Sequence, residues 1–220
     1  MINESMIGVS LADEIAGRIR EKILKGEYGI GEKINESQVA EELRVSRTPV
    51  REAFKQLETE GLMESIPNKG SFALGFTMQD IEDIYSVRAV VEGLAVKWAT
   101  SRITEEEIMK LQDEYDIMEF YTKKKNSKKV MESNKRFHEI VYNASRSRFL
   151  IQILKSYQEY VQQSKKVNVY CEDNLKDILG EHLEILKAIK ERDEEKAEGK
   201  ILCHLSNSQI RSKAGMKSSE

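Results

Sequence analysis

Two sets of side chains in this 220-residue sequence have the types and spacing to do chemistry. The first is the trio His138, His182 and His204, the only histidines in the chain. Asn134 stands one helical turn before His138, so a helix would put both on one face. His182 interrupts an otherwise apolar stripe of Ile178, Leu179, Ile185 and Leu186, and His204 follows Ala197 and Ile201 on the last helix expected. Imidazole nitrogens suit zinc, nickel or related first-row divalent ions, and an amide oxygen can complete such a shell weakly. Each histidine alone has the plainer use of a hydrogen-bonded core residue, and three neutral imidazoles could also bind a ligand with no metal. An ion with an open position can activate water. A hydrolase, however, would lack a clear general base here beyond Glu92.

The second set is basic. Arg44, Arg47, Arg51 and Lys55 are spaced three or four apart, which aligns them on one side of a helix whose other side carries Val50, Ala53, Phe54 and Leu57. Guanidinium groups near the start of such a helix can reach guanine edges or phosphates in a major groove, with Ser46 and Thr48 beside them for phosphate. A charged solvent face is the competing use of the same stripe. Residues 1–75 hold ten Lys and Arg against thirteen Asp and Glu. Recognition of a polyanion would therefore rest on where the positive charges stand and not on their number.

The elements that must hold these arginines are legible from caps and periodicity. Ser10 with Asp13 opens a helix over about 11–25, with Leu11, Ile15, Ile19 and Ile23 at spacings of four and Gly26 as its stop. Asn35 caps a short second helix, with Gln38 at the reciprocal position and Val39, Ala40 and Leu43 inward. A third helix covers about 47–60, where Pro49 is tolerated in the first turn. After Gly61, two short strands flank Pro67-Asn68-Lys69-Gly70. Three helices followed by a hairpin describe a winged helix-turn-helix, whose Lys69 at the tip could reach the backbone or minor groove.

From residue 77 the pattern is helical throughout, with helices expected near 77–100, 104–123, 128–143, 147–166, 173–191 and 193–208 and a frayed last dozen residues. Ile81, Ile84, Val87, Val91 and Leu94, extended by Ala95 and Trp98, set out the inward stripe of the first. Thr104 with Glu107 caps the second, and Lys123-Lys124-Lys125 ends it as a solvated turn. The expected fold is mostly α: a winged helix-turn-helix over 8–75 followed by an all-helical antiparallel bundle over 77–210. With two prolines, twelve glycines, 40% hydrophobic and 33% charged residues, the composition is that of a globular protein rich in long helices. No apolar run reaches the roughly 20 residues of a membrane span, and Met1 to Leu11 lacks the make-up of a secretion signal, so a cytoplasmic protein without a membrane partner is expected. Cys171 and Cys203 are expected as core or half-buried thiols.

The run Glu36 to Phe54, with Val45-Ser46-Arg47-Thr48-Pro49-Val50-Arg51-Glu52-Ala53 at its centre and Glu60-Gly61-Leu62 after it, closely resembles the GntR family of bacterial transcription regulators. That resemblance implies a homodimer on operator DNA, with contacts from Ser46, Arg47, Thr48 and Arg51 and a wing glycine at Gly70. Ser37 stands where some members carry a further DNA-binding arginine, and Arg44 replaces the smaller residue commoner at its position, adding a phosphate contact. The second half resembles the subgroup with a FadR-type (FCD) ligand-binding domain. Its Tyr-x-x-Arg-x-x-x-Glu pattern is matched by Tyr85, Arg88 and Glu92, which implies that Arg88 and Glu92 bind the effector, and its metal-binding positions by Asn134, His138, His182 and His204. Asn134 stands where an aspartate is usual.

The resemblance thus implies a divalent metal, zinc or nickel, held by three histidines and an amide. Such a shell leaves the ion's double charge unneutralised and invites a carboxylate, whose other oxygen Arg88 could pair. The expected function is a non-enzymatic regulator, a repressor, responding to a small organic acid at that site. The alternative is a bundle that only dimerises the DNA-binding heads and senses nothing.

Overall fold

The computed structural model describes residues 10–75, 77–155 and 170–217. It divides into two compact units, Met1–Thr77 and Met78–Glu220.

In the first unit, α1 (Leu11–Leu24) begins with the reciprocal Ser10–Asp13 capping box, and the Ser10 hydrogen bonds hold the Asp13 carboxyl below its usual range. Strand β1 (Lys33–Ile34) precedes α2 (Glu36–Leu43), where the Asn35 side chain accepts from the Ser37 and Gln38 amides. The chain turns into α3 (Arg47–Thr59) through Arg44, which holds a left-handed conformation at φ 56°. Strands β2 (Met63–Ile66) and β3 (Gly70–Ala73) form the hairpin. Strand β1 pairs with the free edge of β3, giving an antiparallel sheet ordered β1-β3-β2 in which Lys33 faces Phe72. Two residues are too short to show a period of two, so β1 has no signature in the sequence.

Gly70 has φ +111°, and a Cβ there would stand 2.7 Å from Lys33 Cε, so its first duty is to the hairpin. Ile15, Ile19, Val50, Phe54, Leu57, Leu62 and Met63 fill the core beneath α3. That packing fixes which side of α3 faces water.

The second unit contains α4 (Met78–Arg102), α5 (Glu105–Lys123), α6 (Ser127–Ala144), a helical segment α7 described over 148–155, α8 (Glu172–Lys190) and α9 (Glu194–Lys217). Helix α4 packs on α9, α6 and α8; α5 packs on α6 and α8; and α8 packs on α9. The remainder of the helix expected over 147–166 lies outside the described residues.

Thr104 and Glu107 form a second capping box at the start of α5. Thr104→Ala is expected to cost about 1 kcal/mol, measurable as a lower urea midpoint at unchanged slope.

Three expectations are corrected. Helix α4 does not turn Val87 and Leu94 inward: they are 43% and 36% exposed, while Ile81, Tyr85, Arg88, Glu92, Val96 and Ala99 are buried. Choosing the stripe by hydrophobicity fails because Arg88 and Glu92 neutralise each other and can share the interior. The end of the chain is likewise not frayed from 209, since α9 runs to Lys217. Arg211 pairs with Glu181 on α8, Ser212 bonds Tyr85 on α4, and Lys213 pairs with Glu82, which together tie down the last turns. Cys203 is exposed rather than half-buried, and Cys171 is intermediate; neither is in a disulfide.

Candidate functional site

The first unit presents Arg44, Ser46, Arg47, Thr48, Arg51, Lys55, Lys69 and Gly70 to solvent. Burial of Val50, Ala53, Phe54 and Leu57 turns the arginine side of α3 outward, so the Arg47 and Arg51 side chains are 57% and 58% exposed. Both guanidinium groups meet one carboxylate. Glu36, at the first turn of α2, accepts from Arg47 Nη2 at 3.1 Å and from Arg51 Nε at 3.0 Å. This arrangement orients the two forks side by side at the leading end of the helix. Glu36 lies 11 and 15 residues away in sequence, beyond any helical spacing, and so gave no local signal of its part.

In the second unit the three histidines come from three helices, α6, α8 and α9, and all are buried. One nitrogen of each ring lies within 4.8 Å of those of the other two. Ring centroids are 5.3 Å apart for His138 and His182, 5.4 Å for His138 and His204, and 4.7 Å for His182 and His204.

Behind each ring, Nδ1 has a protein neighbour. His182 Nδ1 is 2.7 Å from the Ile178 carbonyl, and His204 Nδ1 is 2.8 Å from Glu181 Oε2. Neither acceptor carries a proton, so Nδ1 must donate, and in a neutral ring the lone pair is then on Nε2. His138 Nδ1 lies 3.4 Å from the Tyr142 hydroxyl and 3.6 Å from Glu92 Oε2. Carboxylate or carbonyl behind imidazole is the arrangement that fixes metal-ligating tautomers.

The donor set therefore fits a first-row divalent ion. The Asn134 amide oxygen, one turn before His138, is buried and has no hydrogen-bond partner among the described residues, which suits an amide that completes the shell.

Arg88 lies on the inner face of α4. Its Nε donates to Glu92 Oε1 at 2.6 Å, and its guanidinium stacks 4.8 Å from the Tyr85 ring. Burial works against the Arg88 charge, but Glu92 beside it outweighs that, helped by Tyr85 and Tyr142, and the proton is held more tightly than usual. Burial, reinforced by Glu92, also pushes the Tyr142 phenol up. Glu92 thus has one oxygen on Arg88 and the other toward the Nδ1 side of His138. That place suits a counter-charge rather than a group approaching a ligand or a general base. The structure further contributes Glu181, which accepts from His204, Asn207 and both terminal nitrogens of Arg211. The Arg211 side of this cluster escaped sequence reasoning because it sits in the segment expected to fray.

Residues 11–72 match the family of bacterial regulatory proteins called gntR, and residues 83–207 match the FCD domain. The chain is 28% identical to an uncharacterized HTH-type transcriptional regulator, YdhC, of Bacillus subtilis (strain 168), over 86% of this chain and 85% of that one. It is 29% identical to the Nta operon transcriptional regulator of Aminobacter aminovorans over 80% and 81%, and 24% identical to the HTH-type transcriptional repressor RspR of Escherichia coli (strain K12) over 80% and 77%. Among solved structures, E. coli McbR/YncC superposes with a TM-score of 0.68 at 18% identity, covering 94% of this chain and 98% of that one. Lar, which controls expression of the Listeria monocytogenes agr system, gives 0.69 at 19% identity, covering 96% and 99%. These structural likenesses concern the fold.

Proposed function

The chain belongs to the gntR family of bacterial regulatory proteins and carries an FCD domain, and on that premise we propose that it is a FadR-type repressor whose helical unit binds a small carboxylate at a metal held by His138, His182, His204 and Asn134. It is a DNA-binding transcription regulator and not a catalyst. One observation carries the effector reading: three buried imidazoles converge from three helices with acceptors behind their Nδ1 atoms, and a buried guanidinium, Arg88, stands near. A tightly packed bundle that served only to dimerise the heads would have no use for so much polarity in its centre.

When bound, the ion supplies a positive centre for one carboxylate oxygen. Arg88 offers Nη1, which is buried and has no partner among the described residues, to another. Glu92 holds Arg88 in place and offsets its charge. Arg44, Ser46, Arg47, Thr48, Arg51 and Lys69 meet operator DNA, with Gly70 shaping the wing.

A homodimer brings two heads to successive major grooves. Val87, Val90 and Leu94, which are 43%, 72% and 36% exposed along one side of α4, supply an apolar face for the second copy. Repression is supported by the relative named as a repressor and by the simplicity of blocking a promoter with a bound dimer. No helix among the described residues is long and apolar enough to cross a membrane, in keeping with action in the cytoplasm.

The test is metal-dependent stability followed by release from DNA. Zinc or nickel added to chelator-stripped protein at about a hundredfold excess over its dissociation constant is expected to stabilise it by about 3 kcal/mol, roughly 5–10 °C in melting temperature. His182→Ala should lose that increment. An organic acid should then release the metal-loaded protein from DNA taken upstream of its own gene. A melting temperature indifferent to both ions would remove the metal from this reading.

A further inference from the structure

The position of Arg211 has a use beyond a single-carboxylate site. Its two terminal nitrogens are fully engaged, Nη1 with Glu181 Oε1 at 2.9 Å and Nη2 with Glu181 Oε2 at 2.7 Å. The third donor, Nε, is buried and has no hydrogen-bond partner among the described residues. An arginine side chain only 11% exposed, held by its far end and with a buried, unpaired N–H, is a donor waiting for an acceptor.

Arg88 Nη1 is in the same condition, and the two arginines are joined through one residue. Tyr85 stacks against Arg88, and its hydroxyl lies 2.9 Å from Ser208 Oγ and from Ser212 Oγ, the latter adjoining Arg211 on α9. Both guanidinium groups also bear on the half-buried Tyr170: burial pushes its phenol up, Tyr85 adds to that, and Arg88 and Arg211 oppose it.

The histidine cluster needs only one of these two donors to seat a carboxylate. Two buried cationic donors, one on α4 and one on α9, each have an unused N–H, and in the carboxylate reading the first carboxylate is already shared between the metal and Arg88. Leaving either unsatisfied costs free energy, which an acid of the right length recovers.

We propose that the effector is a small dicarboxylate, with one carboxylate at the histidine and Arg88 end and the second accepting from Arg211 Nε. This rests on the carboxylate reading of the site and extends it to a second anchoring point. Arg211 then discriminates between acids of equal chain length, since a methyl in place of the second carboxylate leaves its Nε unpaired.

The experiment is isothermal titration of the full chain in the presence of zinc with succinate and with butyrate, which share a carbon skeleton and differ in one carboxylate. The wild-type protein should bind succinate at least about tenfold more tightly. Arg211→Lys keeps a cation against Glu181 but has no Nε donor, and it should reduce that ratio to within about twofold while butyrate affinity holds. Zinc content is measured on both proteins. A tenfold preference that survives in the variant would place the second carboxylate elsewhere and overturn the proposal. Equal weakening of both acids, with or without loss of zinc, would overturn it too, because Arg211 would then act only by bracing Glu181 behind His204. Wild-type protein that binds both acids equally loses the second anchor alone, whereas protein that binds neither loses the carboxylate reading as well.

Discussion

Replacing Arg47 and Arg51 together with alanine is expected to weaken binding to the operator by about two to four orders of magnitude, since a bidentate contact to a base edge is worth roughly 1–3 kcal/mol. The structure gives reason to assign the effect to DNA contact and not to folding. Both side chains project from the leading end of α3, more than half exposed, while the opposite face of that helix is in the core. Their removal should therefore leave the circular dichroism spectrum and the melting temperature nearly unchanged. Glu36 loses its two partners, but an exposed ion pair contributes little to stability.

The salt dependence supplies an independent reading. For each phosphate that the variant no longer neutralises, the slope of log affinity against log salt should become shallower by about 0.9. Fluorescence anisotropy with a labelled duplex at several ionic strengths measures both quantities. Undiminished affinity would mean that α3 does not enter the groove, and the mildly acidic balance of residues 1–75 would then have no positive patch to offset it.

The second large effect is on stability. Glu92→Gln is expected to destabilise the helical unit by about 3–5 kcal/mol, because it leaves the Arg88 charge buried with no counter-charge. The side chains of Arg88 and Glu92 are only 8% and 2% exposed, so water cannot take over what the carboxylate did. On the scale of a domain's net stability, about 5–15 kcal/mol, that is a large share.

Urea denaturation of chelator-treated protein reads this out without interference from bound metal. A companion variant separates the pair from its position: Arg88→Met with Glu92→Leu together should recover most of the loss, since an apolar pair of similar volume needs no desolvation. The same double variant, loaded with zinc, should bind a carboxylate more weakly than the wild type, since Arg88 no longer pairs its second oxygen. A cost below about 1 kcal/mol for Glu92→Gln would show Arg88 to be hydrated from within the bundle.

The DNA-binding half was readable from the chain because its determinants are local. A capping box at Ser10, an asparagine cap at Asn35, glycine stops and the spacing of Val50, Ala53, Phe54 and Leu57 each act within a few residues, and they suffice to decide which side of α3 carries Arg47 and Arg51. The identities of His138, His182 and His204, and their places on inward faces, are likewise properties of the sequence.

Only the tertiary structure decided the rest. Glu36 reached both arginines across the α2–α3 turn, and β1 gained its partner from β3. Helix α4 turned a charged pair inward and left Val87 and Leu94 in water, against the order that hydrophobicity alone would choose. Arg211 was drawn into the bundle by Glu181, a residue 30 positions earlier. For Glu36, β1 and Arg211 the reason is common: a residue's local pattern sets the face or edge it occupies, but its partner comes from another element, and no spacing along one helix or strand can announce that meeting. On α4 the partners Arg88 and Glu92 lie one turn apart on the same helix, and what their spacing leaves open is whether neighbouring helices bury that face.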